Sequence, residues 1–414
     1  MQSRQYQFDN SVFPGMGRWV IAVTLLLLAA LPVAAQQSRF YQEGDNWVEE
    51  ISGTFAPSDH DRLKVRNLFI KLDSGDVAVQ GRADETISYV MKKRVRASSE
   101  AEARQQLARF RFTAIKSGET ATLDGNEPGH RRSVSELSVW VPRSIAFVKV
   151  ASQGGNEALG HFEGRAEATT GGGNVHVDDI GSSVSATTGG GDMTVGTTGG
   201  DLVLRTGGGN INVNTVKGAL TISTGGGNIT VGSAAQSVTA RTGGGSIGVK
   251  RCGGQLVAQT GGGSLEVGQV GGGATVQTAG GSIRLNSASG PVTARTSAGA
   301  VELFGLAHGA HVQSGSGELV AEFLGADFSE SSLQTPFGDI VVYLGPNLKT
   351  TVRAAVELAS GHYIQSDFPE IKIDTEGGKN NPKSAFAEGN LNGGGPLLRV
   401  RTTTGDILIH RAKK

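Results

Sequence analysis

The sequence predicts an all-β fold. It is a two-sheet parallel β-solenoid with 18-residue coils, right-handed by the crossover rule, preceded by a mixed N-terminal cap containing one helix. Three observations predict it. Hydroxyl residues recur every 18 positions at Thr170, Thr188, Thr206, Thr224, Thr242, Thr260, Thr278 and Thr296, with Ser152 before them and Ser314 after. A glycine stands three residues after each from Thr170 on, at Gly173, Gly191, Gly209, Gly227, Gly245, Gly263, Gly281, Gly299 and Gly317. Each period also holds two apolar–x–apolar pairs, such as Ile211/Val213 and Leu220/Ile222. A fixed period without insertions marks stacked units of equal length. Alternation with period two marks a strand with one buried face.

Composition narrows the alternatives. Gly supplies 63 of 414 residues, about twice its usual share. With only 11 Pro and no Gly at every third place, the chain is not collagen-like. Lys plus Arg equals Asp plus Glu at 38 each, so the formal net charge is zero. That balance argues against nucleic acid or an anionic membrane as the main partner. The single cysteine, Cys252, excludes an internal disulfide.

Residues 1–35 read as a signal peptide. Arg4 and Arg18 precede an apolar run from Trp19 to Ala35, and the small residues Val33 and Ala35 suit the −3 and −1 positions of a cleavage site. An uncleaved membrane anchor is the alternative, although a run of 17 residues is at the short edge for a spanning helix. No later segment is apolar enough to span a bilayer. The mature chain is then exported to the periplasm, the cell surface or the medium.

Residues 36–150 form the cap. Strand-like stretches cover 47–55, 62–80, 88–95 and 134–150. One helix begins at Ser99 as N-cap with Glu102 at N3, a capping box, and Ala103, Leu107 and Phe110 share its apolar face. The regular coils fill 151–317. Their Gly-rich corners supply positive φ and close backbone approach without a Cβ. The structural turn residues are Thr170, Gly173, Thr188, Gly191, Thr206, Gly209, Thr224, Gly227, Thr242, Gly245, Thr260 and Gly263. The Thr column has inward parity and is read as a hydroxyl ladder for the Gly-turn amides or its own neighbours. The polar column after it (Asn174, Asp192, Asn210, Asn228, Ser246) is expected to bond local turn backbone. Residues 318–414 keep the coil motif without its register, with 374–396 read as a long polar loop and the basic tail as a solvated end.

Several segments together carry a family resemblance: Gly75-Asp76-Val77-Ala78-Val79, a capped helix before the repeats, coils such as Thr224-Gly225-Gly226-Gly227-Asn228-Ile229-Thr230-Val231, and the ending Thr404-Gly405-Asp406-Ile407-Leu408-Ile409. Over roughly residues 62 to 410 the chain resembles the bacterial putative-adhesin domain family, a group of exported β-solenoid proteins. The resemblance implies adhesion. It supplies no catalytic or binding residues.

Chemistry is sparse in the repeats. Calcium-binding β-rolls need an Asp repeated coil after coil, and here the corresponding positions are apolar (Ile211, Ile229, Ile247). A polysaccharide lyase or hydrolase on a β-helix needs clustered carboxylates. Asp178-Asp179 is the only adjacent pair between 170 and 317, and neighbours on a strand point to opposite faces. His308 and His311 lack a third metal ligand. Cys252 follows Lys250 and Arg251, which would lower its pKa. No catalytic residue, metal site or cofactor is therefore assigned. One outward column does stand out: Arg205, Arg241 and Arg295, with Gln259, Gln277 and Gln313 between and beyond, a stripe of donors suited to a polyanion or glycan or simply a solubilising face.

The function expected is that of a non-catalytic, adhesin-like envelope or surface protein. Its partner would be a glycan or another cell-surface or envelope component, not nucleic acid, and it would have no membrane span once the signal is removed. The alternatives are an envelope-stress or regulatory protein that uses the solenoid as a spacer, and the polysaccharide-active enzyme.

Overall fold

The computed structural model describes residues 36–55, 64–126, 133–325, 327–377 and 383–413. The leader read at residues 1–35 lies outside them. The chain divides into two compact units, residues 1–181 and 182–414, and each is built from two sheets.

The regular coil is plainest in the second unit. A six-residue strand, Ile211–Val216, is followed by a five-residue strand, Leu220–Thr224. Each pairs in parallel with its equivalent 18 residues on. Ile211 lies beside Ile229 and Val213 beside Val231 in the first sheet, while Leu220 lies beside Val238 and Ile222 beside Ala240 in the second. The apolar pairs are buried, with Ile211, Val213, Leu220 and Ile222 at most 4% exposed. Both sheets are buried on their inner faces, as parallel sheets require.

The six-residue strand holds a third inward position that the alternation does not announce. After Val213 two residues face outward, and Val216 turns in again. Its column contains Ala234, Cys252 and Val270, in register with one another. Cys252 is therefore core, 2% exposed. Burial pushes its thiol pKa up, which overturns the lowering expected from Lys250 and Arg251: both of those side chains are exposed while the thiol is not. The expected result is that a maleimide leaves native Cys252 unmodified and labels it once the chain unfolds. Rapid labelling of the native chain would contradict this placement.

The same outward double step changes the reading of Asp178-Asp179 in the first unit. Between buried Val177 and Ile180, neither aspartate is buried, so they do not point to opposite faces. Asp179 takes φ 51°, and its Oδ2 lies 3.2 Å from His161 Nδ1.

The Gly-rich corners work by close approach. A Cβ on Gly227 would stand 2.0 Å from the carbonyl oxygen of Gly209 in the preceding coil, and one on Gly245 would stand 2.1 Å from Gly227 O. Neither residue has a left-handed φ. Positive φ, expected throughout, is confined in this column to irregular ends such as Gly299, Gly317, Gly338 and Gly405. Coils stacked at strand spacing leave no room for a side chain at this corner.

The Thr column ties coil to coil. Thr242 Oγ1 donates to Gly227 O of the preceding coil at 2.8 Å and accepts from Gly245 N of its own turn at 3.2 Å. Thr224 and Thr260 repeat both bonds. One buried hydroxyl thus satisfies a backbone donor and a backbone acceptor. The Asn column also reaches between coils, where local turn bonding was expected. Asn210 Oδ1 accepts from Asn228 N at 2.9 Å, and Asn228 Oδ1 from Ser246 N at 2.8 Å.

The ends of both units depart from chain order. In the second unit, Leu397–Thr404 inserts between Ser331–Phe337 and Thr350–Val356, and Ile407–Arg411 between Ile340–Leu344 and Ile364–Ser366. In the first unit, Asn67–Leu72 lies between Thr120–Asn126 and Phe147–Ser152, and Asp76–Arg82 between Ser133–Pro142 and Glu157–Phe162. Antiparallel strands finish each stack, with Thr350–Val356, Ser384–Leu391 and Lys372–Glu376 at one end. The stretch 374–396 read as a loop therefore contributes strand residues on both sides of 378–382, which lie outside the described residues. The tail is not merely solvated either: Arg411 closes the last strand, and its amide donates to Asp367.

The helix of the first unit is Glu100–Leu107, capped by Ser99, whose hydroxyl accepts from Glu102 N. Glu102 closes the return bond on Ser98 rather than on Ser99, accepting from its amide at 3.0 Å. Ala103 and Leu107 pack on Val95, with Phe40 and Trp47 beside them. Lys93 is buried beneath the helix end. Its Nζ donates to Phe110 O at 3.3 Å and pairs with Glu49 at 2.7 Å, which places a cation where the helix dipole favours one.

Candidate binding surface

In the second unit, each five-residue strand of the second sheet turns Leu, Val or Ala, then Leu, Ile, Val or Ala, then Thr or Ser inward, and leaves two positions outward. Parallel pairing without slippage converts those positions into two straight columns. In one, Arg205 lies beside Ser223 and Ser223 beside Arg241. Arg241 lies beside Gln259, then come Gln277, Arg295 and Gln313 in order. The structure thus sets Arg205, Arg241 and Arg295 in a single line on one face. Strands ~4.8 Å apart put Arg205 and Arg241 ~10 Å apart, and Arg241 and Arg295 ~14 Å apart.

The line runs further than the 18-residue period. Gln313 lies beside Gln334, and Gln334 beside Arg401. Neither residue is reached by counting 18, because 334 − 313 = 21 and 401 − 334 = 67. The signal that finds them is the strand signature itself. Leu333-Gln334-Thr335 and Val400-Arg401-Thr402 repeat Val312-Gln313-Ser314, and Thr402 Oγ1 bonds Gly338 O at 3.0 Å as the regular Thr column does. The line closes at Arg401, which is ion-paired with Glu357 and stands next to Ala355.

The side chains are exposed and partly aligned. Arg205, Arg241 and Arg295 all face solvent. Arg241 Nε donates to Gln259 Oε1 at 2.8 Å, and Gln259 Nε2 donates to Gln277 Oε1 at 3.1 Å. All donors in this short chain point one way, so the Arg241 guanidinium heads it and the Gln277 amide NH2 ends it. Among the described residues none bonds the side chain of Arg205 or Arg295.

The second column lies alongside and is mainly β-branched: Val203, Thr221, Thr239, Val257, Thr275 and Thr293. Across the ten strands from Val184–Thr188 to Leu397–Thr404, neither outward column carries an Asp, a Glu, a Phe, a Tyr or a Trp. The first sheet differs. Its outward positions mix signs, with Glu266, Arg284 and Glu302 side by side and Arg284 paired to Glu302. Because the chain is neutral overall, the excess of cations on the second sheet is a matter of placement.

One buried ionisable group stands in the first unit. Glu157 is 0% exposed between Val77 and Val175. Its carboxyl is pushed up to about 7 by burial, against the pull of the Ser152 hydroxyl and of the Ser152 and Thr169 backbone.

No protein-family profile matches the chain, and no curated protein matches it. Among solved structures it is similar to a protein from Clostridium sporogenes named a putative cell adhesion protein, at 9% identity over 88% of this chain and 100% of that one, with a TM-score of 0.17. It is also similar to a putative adhesin from Bacteroides fragilis, at 11% identity over 64% of this chain and 96% of that one, with a TM-score of 0.28.

Proposed function

We propose that the chain is an exported, non-catalytic, adhesin-like protein that holds a cell-surface or envelope component on the outward face of the second sheet of residues 182–414. The observation that supports this reading is the line from Arg205 to Gln334, an acid-free row of guanidinium and amide donors that ends at Arg401, itself paired with Glu357. The backbone beneath it is fixed by ladder hydrogen bonds on both sides of every strand and by the buried Thr bonds. A surface ordered in advance loses little backbone entropy on binding, and many weak contacts at regular spacing add up through multivalency.

The test is retention of the purified chain on intact bacterial cells, isolated cell wall and immobilised surface glycans. Saturable retention on at least one of them is expected. Absence of retention on all of them would end the adhesive reading.

A further inference from the structure

We infer that the ligand of this face is a linear anionic polysaccharide, a chain carrying carboxylate or sulfate groups, laid across the strands along the Arg205–Arg401 line. The inference rests on the reading of this face as the binding surface. It adds the chemical class of the ligand and its direction.

Charge gives the sign. The guanidinium groups stand at the first, third, sixth and ninth strands of the line, with amides at the fourth, fifth, seventh and eighth. Guanidinium groups bind carboxylate and sulfate oxygens through paired N–H donors. Repeats of ~10 and ~14 Å between cations match anions borne on some units of a polymer and not on every one. The amides between serve the uncharged hydroxyls, since Gln can both donate and accept.

Shape gives the direction and the class. The line crosses nine successive strands at one residue each, so only an extended chain engages all of it. The neighbouring column offers the methyl groups of Val203, Thr221, Thr239 and Val257, a low apolar strip for the C–H faces of sugar rings. Single-stranded nucleic acid calls for repeated aromatic stacking platforms, and the two columns hold no Phe, Tyr or Trp and a single imidazole, His311. A β-strand ligand calls for an open sheet edge, whereas every strand of the line from Leu202–Thr206 to Leu397–Thr404 is paired on both sides.

The experiment uses the full chain and immobilised alginate and chondroitin sulfate, with dextran as the neutral polymer and poly(dT) as the nucleic acid. The column variant carries R205Q, R241Q and R295Q. The control variant carries K217Q, K250Q and R251Q, which remove the same charge from exposed sites elsewhere in the unit. Binding to at least one anionic polysaccharide, weakened by added salt, is expected. The column variant should weaken it about tenfold or more and the control variant about twofold or less, with thermal midpoints of both variants unchanged. Equal loss in the two variants would overturn the line as the site. Equal or tighter binding of poly(dT) would overturn the polysaccharide class. No binding of either anionic polysaccharide would overturn the inference while leaving retention on cells, if observed, to support the broader reading.

Discussion

Gly227→Val destabilises the second unit by about 3 kcal/mol or more, and its neighbour Gly226→Ala does not destabilise it at all. The first half follows from the corner geometry. A Cβ on Gly227 would stand 2.0 Å from Gly209 O, 2.4 Å from its carbon and 2.8 Å from Asn210 N. All three are backbone atoms of the preceding coil, so no side-chain rotation relieves the clash. The corner must open, and opening it breaks the bond from Gly227 N to Thr224 Oγ1 and strains the bond from Thr242 Oγ1 to Gly227 O. Overpacking costs about 1–3 kcal/mol, and each buried polar group left unpaired costs about 1–3 kcal/mol more. Coils hold only their neighbours, so a broken interface also divides the stack into two shorter ones. The melting curve should fall and broaden.

The second half follows from open space. Nothing lies within 4 Å of a Cβ on Gly226, and its φ is not left-handed. Alanine there restricts the unfolded chain and is worth up to ~0.4–1 kcal/mol of added stability. Two coils already carry a side chain at the middle corner position, Ala298 and Ser316, in corners whose third glycine is left-handed, while the third is Gly in every copy from Gly155 to Gly317. Urea denaturation of the two variants beside the parent checks both halves. A Gly227→Val chain as stable as its parent would refute the close-approach account of the column.

Those corner residues also show what the sequence could and could not convey. A column is legible when its cause repeats with the chain. Thr224, Gly227 and Asn228 meet the same coil-to-coil contacts 18 residues on, so their places at the corner could be read from spacing, and for Thr224 the bond to the Gly-turn amide as well, whereas the reach of Asn228 to the next coil and the ordinary φ of Gly227 could not. Some causes that failed to show do not repeat. Arg401 joins the Arg line only because the last coil inserts beside Gln334, a pairing between residues 67 positions apart. The first coil, Asn67–Leu72 with Asp76–Arg82, is likewise flanked by strands that come much later in the chain. The lowered pKa expected of Cys252 failed for a local reason: the outward double step at Lys250 and Arg251 reverses the parity of the strand and turns the thiol inward. Non-local pairing leaves no trace in a period count, whereas the parity shift breaks the alternation within a strand and shows only in the 18-residue column Val216, Ala234, Cys252 and Val270.

The Glu157→Gln variant is expected to change the pH dependence of the first unit by an amount large enough to see. Counting back 18 from Val175 gives Glu157, so the carboxyl occupies an inward Val position, with Val77 on its other side. Its Oε1 accepts from Ser152 Oγ at 2.9 Å, and Oε2 finds no well-aligned partner among the described residues. Burial disfavours the charged form and lifts the pKa from 4.5 to about 7. The folded value is raised, so the protonated group's contribution to stability is fully present below pH ~4.5 and is lost as the pH rises to about 7. Above that both states are ionised, and the loss levels off at about 3 kcal/mol, at ~1.4 kcal/mol per pKa unit.

Glutamine has the same shape, keeps an acceptor for Ser152 and cannot ionise. Glu157→Gln should therefore match the parent at pH 4 and exceed it at pH 8 by about 2–3 kcal/mol. Trp47 and Trp140 both belong to the first unit, so tryptophan fluorescence during urea unfolding reads that unit. Other titrating groups are common to the two chains and cancel in the difference. Curves that stay parallel from pH 4 to pH 8 would show that Glu157 ionises as freely in the folded unit as in the unfolded chain, which a fully enclosed carboxyl between two valines cannot do.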